Sequence, residues 1–166
     1  PLGRVVTDTR TMLKGDFFVP LEGEHFNGHA FLQEAFNNGA QAALVSRKCK
    51  FVLPKTFLYW VVDDTLKAYQ DLALLYRSRF SIPFIAVTGS SGKTTTRQII
   101  CSALRPLGPV LSTSQNNNND VGVPQTLLQV DSSHRSAIVE MGMRGQGEIQ
   151  RLSTCTRPDI AVITNI

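Results

Sequence analysis

The stretch Gly89-Ser90-Ser91-Gly92-Lys93-Thr94-Thr95 has the residue types and spacing most suited to chemistry. Its two glycines let a loop backbone approach an anion closely, with several N–H groups turned inward. The lysine that follows can reach terminal phosphates, and the next hydroxyl can enter a magnesium shell. Before it, Phe84-Ile85-Ala86-Val87 is a continuous apolar run of the kind that forms a buried parallel strand. After it, the spacing predicts a helix over 93–104, whose positive N-terminal end would face the same anion. The common longer form of such a loop carries a further upstream glycine, and here an apolar strand residue stands in its place. A glycine turn without a ligand is the plain alternative, and the flanking strand and helix argue against it. The candidate nucleotide-binding residues are Gly89, Ser90, Ser91, Gly92, Lys93, Thr94 and Thr95, with Lys93 the candidate catalytic group and Thr94 a candidate metal ligand.

Glu140 ends the apolar run Ala137-Ile138-Val139, so it is a second candidate metal ligand. A carboxylate at the C-terminal end of a parallel strand faces the crevice where ligands bind. Taken alone it would be a solvated strand end, and the phosphate loop tips the balance toward function. Asn116 to Asn119, with Asp120, Gly122 and Pro124, gather amide donors and acceptors before a helix. Asn118 and Asn119 are candidate substrate contacts there, evenly matched by a plain Asn-rich turn. Thr9 and Arg10, in Asp8-Thr9-Arg10, could clamp a phosphate, but on residue type alone a local turn with a surface ion pair is favoured. His25, Asn27 and His29 read as loop and helix-cap residues before they read as ligands.

The elements that must position these residues fall into two segments that meet near Ser81-Ile82-Pro83. In the first, strands are predicted at 16–20, 42–45 and 57–62, with a helix over 29–38 stopped by Asn38-Gly39. A second helix over 66–80, capped by Asp63-Asp64-Thr65, would turn Leu72, Leu75 and Tyr76 inward. In the second segment strands at 84–87, 110–111, 136–140 and 159–164 alternate with helices at 93–104, 124–129 and 148–153. That alternation predicts an α/β fold, with a small N-terminal α/β domain (1–81) and a partial parallel sheet with helices on both faces (82–166).

Composition narrows the classes. With 42% hydrophobic and 18% charged residues the chain is globular rather than disordered. No apolar run approaches the roughly 20 residues that cross a bilayer, so no membrane insertion is expected. The +4 net charge suits an anionic ligand, but no run of Lys and Arg marks a nucleic-acid face. The three cysteines lack a Cys-x-x-Cys pair and the three histidines are scattered, so reduced thiols and no zinc cluster are expected. The cytoplasm and a monomeric state are the expected setting.

Thr7-Asp8-Thr9-Arg10, Gly15-Asp16-Phe17-Phe18-Val19 and Gly23-Glu24-His25-Phe26-Asn27-Gly28-His29 resemble the opening domain of the Mur ligases of peptidoglycan synthesis. Gly89 to Thr95 resembles their shortened phosphate loop. Within the family, Asn118-Asn119-Asp120-Val121-Gly122-Val123-Pro124-Gln125-Thr126-Leu127-Leu128 resembles the branch that adds D-Ala-D-Ala, as does Val139-Glu140-Met141-Gly142-Met143-Arg144-Gly145-Gln146-Gly147-Glu148-Ile149, followed by Thr156-Arg157-Pro158. Asp120 stands where that branch often has Glu.

The resemblance implies an ATP- and magnesium-dependent amide ligase acting on UDP-N-acetylmuramoyl-tripeptide and D-Ala-D-Ala through an acyl phosphate. Lys93 would then face the migrating phosphoryl group, Thr94 and Glu140 the magnesium, and Thr9, Arg10 and the Asn-rich loop the UDP-sugar substrate. Residues 1–81 would be the UDP-sugar domain and 82–166 an incomplete ATP domain, with the C-terminal domain and further site residues beyond Ile166. These residues by themselves would bind without turnover. A stand-alone nucleotide- or UDP-sugar-binding module, a small phosphotransferase, and another ligase of the same superfold, such as a folate polyglutamate ligase, are the competing readings.

Overall fold

The computed structural model describes residues 3–23, 26–50, 53–114 and 117–166, so His25 and Asn116 lie outside the described residues. The chain divides into two compact units, Pro1–Tyr69 and Gln70–Ile166. The division falls inside one helix, Thr65–Arg77.

The first unit is built on a parallel sheet of β1 (Val5–Val6), β2 (Phe17–Phe18), β5 (Ala42–Ser46) and β6 (Leu58–Val62), in the order β1-β2-β5-β6. A separate antiparallel pair joins β3 (Glu22–Gly23) to β4 (Phe26–Asn27). All five residues of β5 are buried, as expected of a central parallel strand. Phe18, Ala43 and Val45 turn to one face and pack with Leu32, Ala35 and Phe36 of α1 (Leu32–Asn37). The helix predicted over 29–38 begins instead as a 3-10 turn at Gly28–Phe31, because the Asn27 side chain caps the His29 N–H and tightens the entry. It ends where expected, with Gly39 at φ 82°.

His29 is a buried structural residue. Its Nε2 accepts the Ser46 N–H at 2.9 Å, while Nδ1 lies 3.0 Å from Asn27 Oδ1 and 3.2 Å from Glu22 Oε1. Nδ1 therefore carries the proton of the neutral ring, and Nε2 satisfies a backbone donor at the end of β5.

In α2 (Thr65–Arg77) the Asp64 carboxylate caps the Lys67 N–H at 2.9 Å. The expected inward face is shifted: Leu75 is exposed, and Ala73 and Tyr76 pack with Phe84, Leu127 and Leu152 in the core of the second unit.

The second unit carries a four-stranded parallel sheet of β7 (Phe84–Thr88), β8 (Val110–Ser112), β9 (Ser136–Glu140) and β10 (Ile160–Ile163), ordered β10-β7-β9-β8. The pleat sends alternate residues to opposite faces. Phe84, Ala86, Ala137 and Val139 meet α4 (Gly122–Leu127) and α5 (Glu148–Thr156) on one face. Ile85, Val87 and Ile138 meet Ile100, Cys101 and Leu104 of α3 (Lys93–Leu104) on the other. Helices thus cover both faces of this sheet, and among the described residues no helix is long and apolar enough to cross a membrane.

Burial lowers the His29 pKa below its ordinary 6.5, with Glu22 partly opposing the shift. The unfolded chain then takes up a proton at a pH where the folded chain does not. The stabilisation is complete above about 6.5 and is lost as pH falls through the lower folded value. Thermal melts at about pH 7.5 and about pH 5.5 should show a loss of stability on acidification that is smaller in His29→Gln. The alanine variant, which leaves the Ser46 N–H unpaired, should lose about 1–3 kcal/mol at neutral pH.

Candidate functional site

The strand order decides where a ligand can sit. From β7 the chain runs through α3 past β9 to the edge strand β8, and from β9 it runs through α5 past β7 to β10. The connections leave these neighbouring strands in opposite directions and on opposite faces. A crevice therefore opens beyond their carboxyl ends, the switch point where α/β sheets bind ligands. β7 ends there in the glycine loop at residues 89–92, and β9 ends there in Glu140. Val87 and Glu140 are paired in register, so loop and carboxylate lie side by side.

The loop is shaped by its glycines. Gly89 has φ 136° and Gly92 has φ 78°, both in the region that favours glycine. A Cβ at Gly89 would sit 2.3 Å from Thr164 Oγ1 and 2.8 Å from the Asn165 backbone, so only glycine lets the loop rest against the chain leaving β10. Ser90 N–H donates to Asn165 O at 3.0 Å, and the Thr164 hydroxyl donates to Ser91 O. Lys93 folds over its own loop, with Nζ 2.7 Å from Gly89 O and 3.3 Å from Ser90 O.

Glu140 shares its parity with Ile138, so the pleat turns it to the α3 face. Its residue is only 2% exposed, and its carboxylate is held by three side chains. Thr94 Oγ1 donates across both oxygens at 3.1 and 3.3 Å, Arg97 Nε donates to Oε2 at 3.1 Å, and Asn118 Nδ2 donates to Oε1 at 3.0 Å. Its own N–H donates to Thr113 Oγ1 at 2.9 Å. The Thr94 hydroxyl and the Glu140 carboxylate are adjacent hard oxygen donors beside a phosphate-type loop, which is the donor chemistry magnesium takes. Among the described residues no group of three His, Cys, Asp or Glu gathers that could hold a metal on its own.

Residues 2–76 match the catalytic domain of the Mur ligase family, and residues 87–166 match the Mur ligase middle domain. The chain belongs to the Mur ligase family. It is 46% identical, over 99% of its length, to the UDP-N-acetylmuramoyl-tripeptide–D-alanyl-D-alanine ligase of Synechocystis, of which it spans 36%. It superposes on a MurF crystal structure from Acinetobacter baumannii with a TM-score of 0.91 at 38% identity, covering 99% of this chain and 36% of that one. A Thermotoga maritima MurF ligase solved in complex with ADP gives a TM-score of 0.89 at 32% identity, over 99% of this chain and 38% of that one. The chain therefore spans just over a third of the length of these relatives.

Among the residues singled out in the sequence, this Mur ligase chain brings Lys93, Thr94, Glu140 and Asn118 together at the switch point. Asn119 is turned to a structural task, its Oδ1 accepting the Val121 and Gly122 N–H groups at the start of α4. Asn118 and Asn119 also line a cavity of about 190 Å³ with Asp120, Gly142, Arg144 and Glu148. Gly122 is required there because a Cβ would lie 2.4 Å from the Asn117 backbone. Thr9 and Arg10 belong to the first unit, Thr9 buried and Arg10 exposed in an ion pair with Asp8 at 2.6 Å. Arg10 holds the Asp8 carboxyl down at about 2, mainly through the side-chain hydrogen bond.

Sequence reasoning missed Arg97, Ser112, Thr113, Thr164 and Asn165. Arg97 had a signal, since it lies one helical turn after Lys93 and Thr94 on the same face of α3. The others approach the site only through strand pairing.

Gly89→Ala should cost about 1–3 kcal/mol of stability or open the loop from Thr164 and Asn165. Calorimetry together with ADP titration would check this, and an unchanged melt with unchanged ADP affinity would count against the packed-loop geometry.

Proposed function

We propose that the chain is the N-terminal portion of an ATP-dependent amide ligase that adds D-Ala-D-Ala to UDP-N-acetylmuramoyl-tripeptide. The observation that carries the reading is the placement of Lys93, Thr94 and Glu140 around one phosphate-type loop at the switch point. The relatives matched over both units, which are named as ligases of this specificity, support it.

In the proposed reaction the terminal carboxylate of the tripeptide attacks the γ-phosphorus of ATP, giving an acyl phosphate and ADP. The amine of D-Ala-D-Ala then attacks the acyl carbon, and the tetrahedral intermediate expels phosphate. The protein's share of such a transfer is positioning and electrostatics. The loop N–H groups and the α3 N-terminus would bind the phosphates. Lys93 would leave its loop carbonyls for the β- and γ-phosphates as charge builds on the migrating group. Glu140 would orient the Thr94 hydroxyl by accepting its hydrogen bond, so that the hydroxyl oxygen faces the nucleotide. Thr94 and Glu140 are the residues that would hold magnesium, which when bound offsets phosphate charge.

Residues 1–81 form the proposed UDP-sugar domain in this reading, and 82–166 part of the ATP domain. Thr9 and Arg10 would contact the UDP-sugar end, with Arg10 exchanging the Asp8 carboxylate for a phosphate oxygen. Asn118 and Asn119 would contact the same substrate from the cavity beside Glu140. The proposed setting is a cytoplasmic monomer.

Since the chain spans 36% of the Synechocystis relative, binding rather than turnover is the measurement that suits it. With magnesium present, ADP should bind, and Lys93→Ala should weaken it about ten- to a hundredfold. Full affinity in Lys93→Ala would rule out the loop as the phosphate site. UDP-N-acetylmuramoyl-tripeptide should bind in preference to folate, and Arg10→Ala should weaken it about tenfold. Isothermal titration reads both, and preference for folate would defeat the substrate assignment.

A further inference from the structure

Arg97 belongs to none of the features that define a phosphate loop, yet it is built into the wall of this one. Its side chain is 11% exposed and lies between α3 and the ends of β8 and β9. Nε donates to Glu140 Oε2 at 3.1 Å, and Nη1 donates to Ser112 Oγ at 2.9 Å and to the Thr113 carbonyl. The guanidinium is therefore fixed by β8 and reaches Glu140 from a defined direction. On the other side Asn118 Nδ2 holds Oε1, so the two carboxylate oxygens are pinned separately. Both carboxylate oxygens are thus engaged, and Thr94 donates its hydroxyl hydrogen bond to them, which leaves the hydroxyl lone pairs pointing elsewhere.

The pairing also settles the charge. The Arg97 guanidinium, 3.1 Å from Oε2, offsets the Glu140 carboxylate. A hard divalent cation gives up its water only to several anionic or strongly polar oxygens. Among the described residues no group of three His, Cys, Asp or Glu gathers there.

We propose that Arg97 is a positioning residue of the nucleotide site: it fixes Glu140 for Thr94 and offsets its charge, so a divalent cation settles there only together with nucleotide phosphates. The proposal rests on the triphosphate reading of the loop. Removing the guanidinium would uncover a lone carboxylate, raise the affinity for the metal by itself, and release the Thr94 hydroxyl from its fixed direction.

The test uses the full chain with Mn²⁺ as probe, free Mn²⁺ being read by its EPR signal with and without ADP. The unaltered chain should show no saturable Mn²⁺ site attributable to Glu140 without ADP, so Glu140→Gln should leave the nucleotide-free titration unchanged. Arg97→Met should bind Mn²⁺ alone roughly tenfold or more tighter, and bind ADP at saturating Mn²⁺ more weakly. Arg97→Lys, which keeps the charge, should hold nucleotide-free Mn²⁺ binding at the unaltered level and recover part of the ADP affinity.

A nucleotide-free Mn²⁺ site in the unaltered chain that disappears in Glu140→Gln would overturn the proposal, and this measurement does not depend on Arg97→Met folding. Unchanged Mn²⁺ affinity in Arg97→Met would overturn it as well. If the unaltered chain bound no ADP at all, the triphosphate reading would fail. ADP binding with unaltered Arg97→Met behaviour defeats only the role of Arg97.

Discussion

Glu140 places a carboxylate at the end of a strand that is buried on both faces, where water reaches it hardly at all. A group of that kind is tolerated only with its hydrogen-bonding capacity met, and losing a partner of a buried ion pair costs about 3–5 kcal/mol. The partners come from separate elements: Thr94 and Arg97 from α3, and Asn118 from the loop before α4. Thr113, beyond β8, takes the Glu140 N–H, and its carbonyl anchors Arg97. Satisfying one carboxylate therefore fixes the rotation of α3 about its axis, the ending of β8 and the path of the Asn-rich loop. Those are the pieces that surround the glycine loop.

The sheet makes this convergence available. Because β9 lies between β7 and β8, the chain must cross over it, and the helices that follow β7 and β9 settle on opposite faces. The crevice between the two strand ends follows from that order. Period-two alternation then allots Phe84, Ala86, Ala137 and Val139 to the face of α4 and α5, and sends Ile138 and Glu140 toward α3. A one-residue slip of β9 would turn Glu140 into an apolar cluster and Val139 toward Thr94. The same parity that builds the core aims the carboxylate.

The short loop is understood through its neighbours. It lacks the upstream glycine of the longer form, and it gains support from the segment after β10, where Thr164 and Asn165 take up Ser90 and Ser91. Gly89 is confined by that contact as much as by its own dihedral angles.

The sequence by itself determined the alternating strands and helices of the second unit and the position of the glycine loop between β7 and α3. Phe84 to Val87, Lys93 to Leu104 and Ser136 to Glu140 are specified by local patterns: an apolar run, a helical period and a glycine turn. A local pattern needs no knowledge of distant residues. It misjudged α2, whose inward face is set by which core reaches it, and the start of α1, where one cap from Asn27 tightened the first turn.

What only the tertiary structure decided was the set of partners. Whether Glu140 meets solvent or Arg97, and whether His29 is a ligand or a support for Ser46, depend on strand order and register. Those contacts join residues distant in sequence or choose among local geometries of similar energy. Only the packed sheet, with its buried polar groups to satisfy, selects one.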